Sequence, residues 1–119
     1  MDHITTGRNN EERAARFLEA SGHIILERNW RKDRREVDII SETQEYIVIT
    51  EVKTMIPGSC DRPQDIVNRK KQQHIIRTAE VYVWEKRLAK PVRFDLILIY
   101  ENRDGFRIEQ ITDAFYPGF

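Results

Sequence analysis

The chain has a single cysteine, Cys60, among 119 residues. No disulfide can form within it, and a reducing cytoplasm is the expected setting. Cys60 also has no cysteine or histidine neighbour at zinc-ligand spacing. No apolar run approaches membrane-spanning length. Met1 to Thr6 lacks the basic and apolar regions of a signal peptide. There is no repeat, low-complexity segment or linker, so one domain spanning 1–119 is expected. Net charge is missing too: 20 Lys and Arg balance 20 Asp and Glu. A nucleic-acid partner would therefore have to be drawn by a local concentration of charge. What the chain does have is 39% hydrophobic and 34% charged residues, the composition of a soluble globular protein with a heavily charged surface.

The periodicity predicts a helix over 11–21, with Ala14, Ala15, Phe17 and Leu18 on its inner face, Asn9 or Asn10 as cap and Gly22 as stop. Glu11 lies on the buried side of that helix. It reads either as a third acid aimed at the sheet or as a complement to the helix dipole. A first strand is expected over 23–30. The basic stretch Arg28, Arg31, Lys32, Arg34, Arg35, with Trp30 inside it, is a candidate phosphate contact or a solvated hairpin loop. Residues 54–65 read as a loop at a strand end, placed to close over a substrate. A second helix is predicted over 64–87, with Val67, Lys71, His74, Ile75, Thr78, Ala79, Tyr82 and Val83 as its inner stripe. Lys71 there covers apolar surface with its stem and carries its charge outward. Leu96 to Tyr100 is an unbroken apolar run, the pattern of a strand covered on both faces and parallel to the one before the helix. Asn102 to Gly105 forms a hairpin turn into an edge strand over 106–112, and the aromatic tail 114–119 packs on the core or on a partner.

The chemistry gathers on a central hairpin. Strands are expected over 35–40 and 47–53, joined by a polar turn from Ser41 to Glu45. Alternation puts Ile47, Ile49, Glu51 and Lys53 on one face, so an acid and a lysine extend a row of core isoleucines. A turn centred on Gln44 and Glu45 sets Asp38 opposite Glu51 on that face. Charges so placed need a partner. Either they neutralise one another as a cross-strand ion pair, or they hold a divalent metal. Magnesium prefers oxygen ligands, one or two carboxylates with water and substrate phosphate. Asp38, Glu51 and the Val52 carbonyl supply such oxygens, and Lys53 stands ready to orient water or stabilise a charged transition state.

Several pieces together resemble the YraN-type family of small bacterial proteins. They are Asn10-Glu11, Asn29-Trp30-Arg31, Glu36-Val37-Asp38-Ile39-Ile40, Glu51-Val52-Lys53-Thr54, Lys71, Arg93-Phe94-Asp95 and Asp113-Ala114-Phe115-Tyr116-Pro117. The resemblance runs from residue 7 to residue 117. These proteins are described as predicted endonucleases related to archaeal Holliday junction resolvases, within the restriction-endonuclease-like superfamily. It implies an α/β fold with a mixed β-sheet flanked by helices, in the order α-β-β-β-α-β-β. It matches Asp38, Glu51 and Lys53 to the superfamily's Asp…Glu-x-Lys signature, Glu11 to a helix acid at the same metal site, and Lys71 to a basic position on the later helix. Arg35 stands where the family commonly has glycine.

The expectation is a Mg2+- or Mn2+-dependent endonuclease acting on DNA, on branched or flapped structures. Glu11, Asp38, Glu51 and Val52 would be at the metal and Lys53 would be catalytic. Arg28, Arg31, Lys32, Arg35 and Lys71 would meet phosphates. A homodimer is expected, since a junction asks for two active sites. The alternatives are a non-catalytic nucleic-acid-binding module and a protein-interaction domain using the tail and an exposed edge strand.

Overall fold

Hydrophobic residues of the central strands alternate between two separate clusters, and each cluster is closed by one helix. The structure, a computed structural model, describes residues 3–56 and 66–115, with only the backbone for 3–8. Helix α1 spans His3–Ala20, followed by strands β1 (Ile24–Lys32), β2 (Arg35–Glu42) and β3 (Ile47–Met55). Helix α2 (Arg69–Lys86) leads to β4 (Val92–Asn102) and β5 (Gly105–Phe115). The strands lie side by side in sequence order, antiparallel except for the parallel pair β3–β4. Among the described residues the architecture is therefore α/β, a five-stranded mixed sheet with two helices in the order α-β-β-β-α-β-β. No described helix is long and apolar enough to cross a membrane.

On β4, Leu96 and Leu98 join the cluster under α2 with Ile75, Ile76, Ala79 and Tyr82. Ile97 and Ile99 join the cluster under α1 with Ala14, Ala15 and Leu18. The apolar run is thus a strand covered on both faces, as the sequence suggests. Phe115 is buried and stacks on Phe94 at 5.2 Å, so the start of the aromatic tail packs on the core. The tail from Tyr116 onward lies outside the described residues, as do 57–65, most of the expected loop with Cys60.

Several boundaries move. Helix α1 begins eight residues before the expected start, so neither Asn9 nor Asn10 caps it. Asn10 is instead buried inside the helix and donates to Thr54 Oγ1 on β3 at 2.6 Å. Arg28, Arg31 and Lys32 belong to β1 rather than to a loop, and Thr54 and Met55 belong to β3. Helix α2 starts at Arg69, where Asn68 caps it by accepting from the Lys71 N–H. Its buried side carries Gln72, Ile75, Ile76, Thr78, Ala79 and Tyr82. Lys71 and His74 are exposed, a correction to the predicted stripe. The cause is Gln72, which donates to the Val67 carbonyl at 2.8 Å and takes an inward position that a polarity pattern assigns to its neighbour.

A buried carboxylate anchors the β4–β5 end. Asp95 is fully buried and takes a two-point grip from Arg93, at 2.9 and 2.8 Å. It also accepts from Gln110 and from the Asp113 N–H. Asp113 sits at φ 54, beside the register shift between Phe94 and Leu96.

Candidate functional site

The β2–β3 ladder runs from Glu42↔Ile47 to Ile39↔Thr50 and stops there. One more step would pair Asp38 with Glu51, the register that the turn at Gln44 and Glu45 predicts. The backbones do not continue it. Instead each acid reaches across the gap to an amide on the other strand. Val52 N–H donates to Asp38 Oδ2 at 2.8 Å, and Asp38 N–H donates to Glu51 Oε2 at 3.1 Å.

The reason lies one strand further out. Arg28 faces Ile39 and Trp30 faces Val37, which leaves Asn29 across from Asp38. Asn29 adopts φ 52, a conformation that asparagine tolerates better than most residues. Alternation resets at this point. Arg28 pairs with Glu12 of α1, while Trp30, two residues on, packs edge-on against Tyr82 of α2 at 5.0 Å. On β2, Ile39 belongs to the α1-side cluster while both Val37 and Ile40 belong to the α2-side cluster. The left-handed turn of Asn29 thus falls opposite the point where the β2–β3 pairing ends and the Asp38 carboxylate bonds to β3.

Glu51 is 6% exposed, at the end of the row formed by Ile47 and Ile49. Burial raises its pKa to about 8, with the Asp38 charge as the second cause. Burial also raises Asp38, to about 6, against the Val52 N–H bond that favours its charge; Glu11 pushes it further upward. Glu36 raises both. Lys71 opposes these effects at both carboxylates, which makes it the lysine most strongly felt by the pair. Lys53 extends the same strand and is exposed. The Asn10 bond to Thr54 fixes the stretch of α1 that carries Glu11 beside the end of β3.

The donor set suits a hard divalent ion: two carboxylates, and a carbonyl besides. In a strand the N–H and C=O of one residue point to the same side. The Val52 N–H turns to Asp38, so its carbonyl faces the same gap. Among the described residues no three His, Cys, Asp or Glu side chains gather as a metal cluster. Two carboxylates close the gap, and Glu11 acts on it by charge.

The predicted phosphate contacts divide. Arg28 is bound to Glu12, Arg31 to Glu36 at 2.9 Å and Lys32 to Glu85 at 2.7 Å. Trp30 is packed on Tyr82 rather than open to bases. Arg35 and Lys71 line a cleft of about 330 Å³ with Arg34, Asn68, Lys70 and His74. Arg34 belongs to the basic stretch that the sequence marks as a candidate phosphate contact, whereas Lys70 and His74 are not marked as such there. The adjacent positively charged positions in both stretches were the available signal, but the pairing of the turn against the start of α2 is tertiary.

The family model described as uncharacterised protein family UPF0102 matches residues 10–99. Three relatives bear the name UPF0102 protein. That of Flavobacterium psychrophilum is 37% identical, with 97% of each chain covered. That of Bacteroides thetaiotaomicron is 36% identical, covering 98% of this chain and 96% of the relative. That of Flavobacterium johnsoniae is 40% identical, with 97% of each covered. Matches of this extent reach from α1 through β4 and include both carboxylates of the gap, and the chain accordingly belongs to UPF0102, the YraN family of predicted endonucleases.

Proposed function

We propose that the protein is a magnesium- or manganese-dependent endonuclease that hydrolyses phosphodiester bonds in DNA, with branched or flapped structures as preferred substrates. The observation that carries this reading is the reciprocal bonding of Asp38 and Glu51 across the interrupted ladder. A buried acid beside a half-buried one, both with raised pKa values, is costly to keep in a structural role. Among the described residues the lysine whose charge acts on both acids is Lys71 and not Lys53, so a cross-strand pair with Lys53 is not what relieves them. A divalent ion held there relieves negative charge on the phosphate and acidifies a water.

The protein's own groups divide the remaining work. Asp38, Glu51 and the Val52 carbonyl hold the ion, and Glu11 adds negative charge on the α1 side. Lys53 orients the attacking water or stabilises charge on the phosphate. Lys71 offsets the negative charge of the carboxylate pair and meets substrate phosphate. The cytoplasm is the compartment proposed for this activity, and a two-fold homodimer would present two such sites to a junction.

Junction, flap, duplex and single-stranded oligonucleotides incubated with Mg2+ or Mn2+ test the proposal. Wild type is expected to cleave at least one of them. Asp38→Asn, which keeps an acceptor for the Val52 N–H, and Lys53→Ala should each lower cleavage by at least about 100-fold with an unchanged circular dichroism spectrum. Wild type that leaves every substrate intact under both metals ends the enzyme reading. Salt-dependent binding without turnover, undiminished in Asp38→Asn, would favour a nucleic-acid-binding module instead.

A further inference from the structure

The turn between β1 and β2 is made of Asp33 and Arg34, closed by the Lys32↔Arg35 pair. Both central residues have positive φ, 51 and 72. This is the conformation of a two-residue hairpin that normally takes glycine at its second position. An arginine there costs about 1–2 kcal/mol in backbone strain. A turn that served only to reverse the chain would do better with glycine. Arg34 is held where it lines the cleft facing the first turns of α2, along with Arg35, Lys70 and Lys71.

The cleft is where this neutral chain concentrates positive charge. Among the described residues its one acidic lining residue, Glu36, is bound to Arg31. Among the described residues no ion pair involves Arg34, Arg35, Lys70 or Lys71, whereas Arg28, Arg31 and Lys32 are each matched to an acid. The start of α2 adds the positive end of a helix. Lys71 and Glu36 line the cleft and also act on Asp38 and Glu51, so the cleft adjoins the carboxylate gap. Its volume, about 330 Å³, is at the small end of ligand sites and matches a nucleotide unit of one strand rather than a protein segment.

We propose that this cleft is a phosphate subsite for a nucleic-acid strand, in which Arg34, Arg35, Lys70 and Lys71 hold a backbone phosphate neighbouring the one at the carboxylate pair. This subsite rests on the endonuclease reading and makes Arg34 a substrate-binding residue. Strand contact then runs from the β1–β2 turn to α2, and not along β1.

The test is fluorescence anisotropy of a labelled flap oligonucleotide titrated with salt in calcium, alongside a separate magnesium cleavage assay. In Arg34→Gly and Lys70→Ala the slope of log affinity against log salt should fall, by up to about 0.7–0.9, the share of one phosphate. Arg31→Ala should leave the slope unchanged. Arg34→Gly relieves the turn, so its melting temperature should hold or rise, which separates lost contact from lost fold. If wild type cleaves but both cleft variants keep the wild-type slope, the subsite is wrong and the metal reading stands. If wild type binds no nucleic acid and cleaves none, both are overturned.

Discussion

At Glu51, burial and the Asp38 charge both oppose ionisation. The sign of the consequence follows from linkage. A carboxyl whose pKa is higher in the folded chain than in the unfolded one binds its proton more tightly when folded. The metal-free protein therefore loses stability as pH rises from the ordinary glutamate range, 4.5, towards about 8. Asp38 adds to the loss over its lower window, from 3.8 to about 6. Glu51→Gln removes the charge and keeps an oxygen for the Asp38 N–H. At pH 8 without metal this variant should melt at least about 4 °C above wild type, the equivalent of about 1 kcal/mol in a chain of this size. At pH 5 the gap should close. Thermal melts in chelator at the two pH values check it, and equal melting temperatures at pH 8 would mean that the site carries no such cost. Magnesium at pH 8 should raise the wild-type melting temperature and leave Glu51→Gln less affected. Such results would mean that the site's central residues favour ligand binding over the stability of the empty fold.

Among the elements, β4 and β5 are joined at one end through Asp95. With no exposed surface, that carboxylate neutralises Arg93 and satisfies Gln110 and the Asp113 N–H. Asp95→Ala would strand a largely buried guanidinium and should cost about 3–5 kcal/mol in urea unfolding. A loss under 1 kcal/mol would show that solvent replaces the bond. The strands themselves were readable because their apolar residues alternate or run unbroken, and the Gln44 and Glu45 turn specified the register that aligns Asp38 with Glu51. The interruption of that register was not readable. It depends on Asn29, a residue whose left-handed conformation shows its effect only against a partner strand. The extent of α1 was missed for a related reason. Asn10 looks like a cap in sequence, and only its bond to Thr54 on β3 explains a buried amide inside a helix. The polarity pattern puts Lys71 on the buried stripe of α2, whereas Gln72, a polar residue, occupies the inward position.

Across the whole molecule, the two described helices cover opposite faces of one sheet, and the carboxylate gap lies where the β2–β3 pairing ends, beside the middle of α1 and the start of α2. That position lets α1 contribute Glu11 and α2 contribute Lys71 to one locus without either entering the core. Zero net charge conceals a segregated surface, in which basic residues of β1 are matched to acids while those of the turn and the start of α2 converge on a cleft beside the gap. Composition reports only the sum of charges, so this segregation was beyond a reading of the sequence. If the gap is built for a divalent ion, anomalous diffraction from crystals soaked in manganese at pH 8 should find one ion bound by carboxylate oxygens of Asp38 and Glu51 at about 2.1 Å. An empty gap at saturating manganese, with both carboxylates still bonded only to the opposing strand's amides, would contradict it.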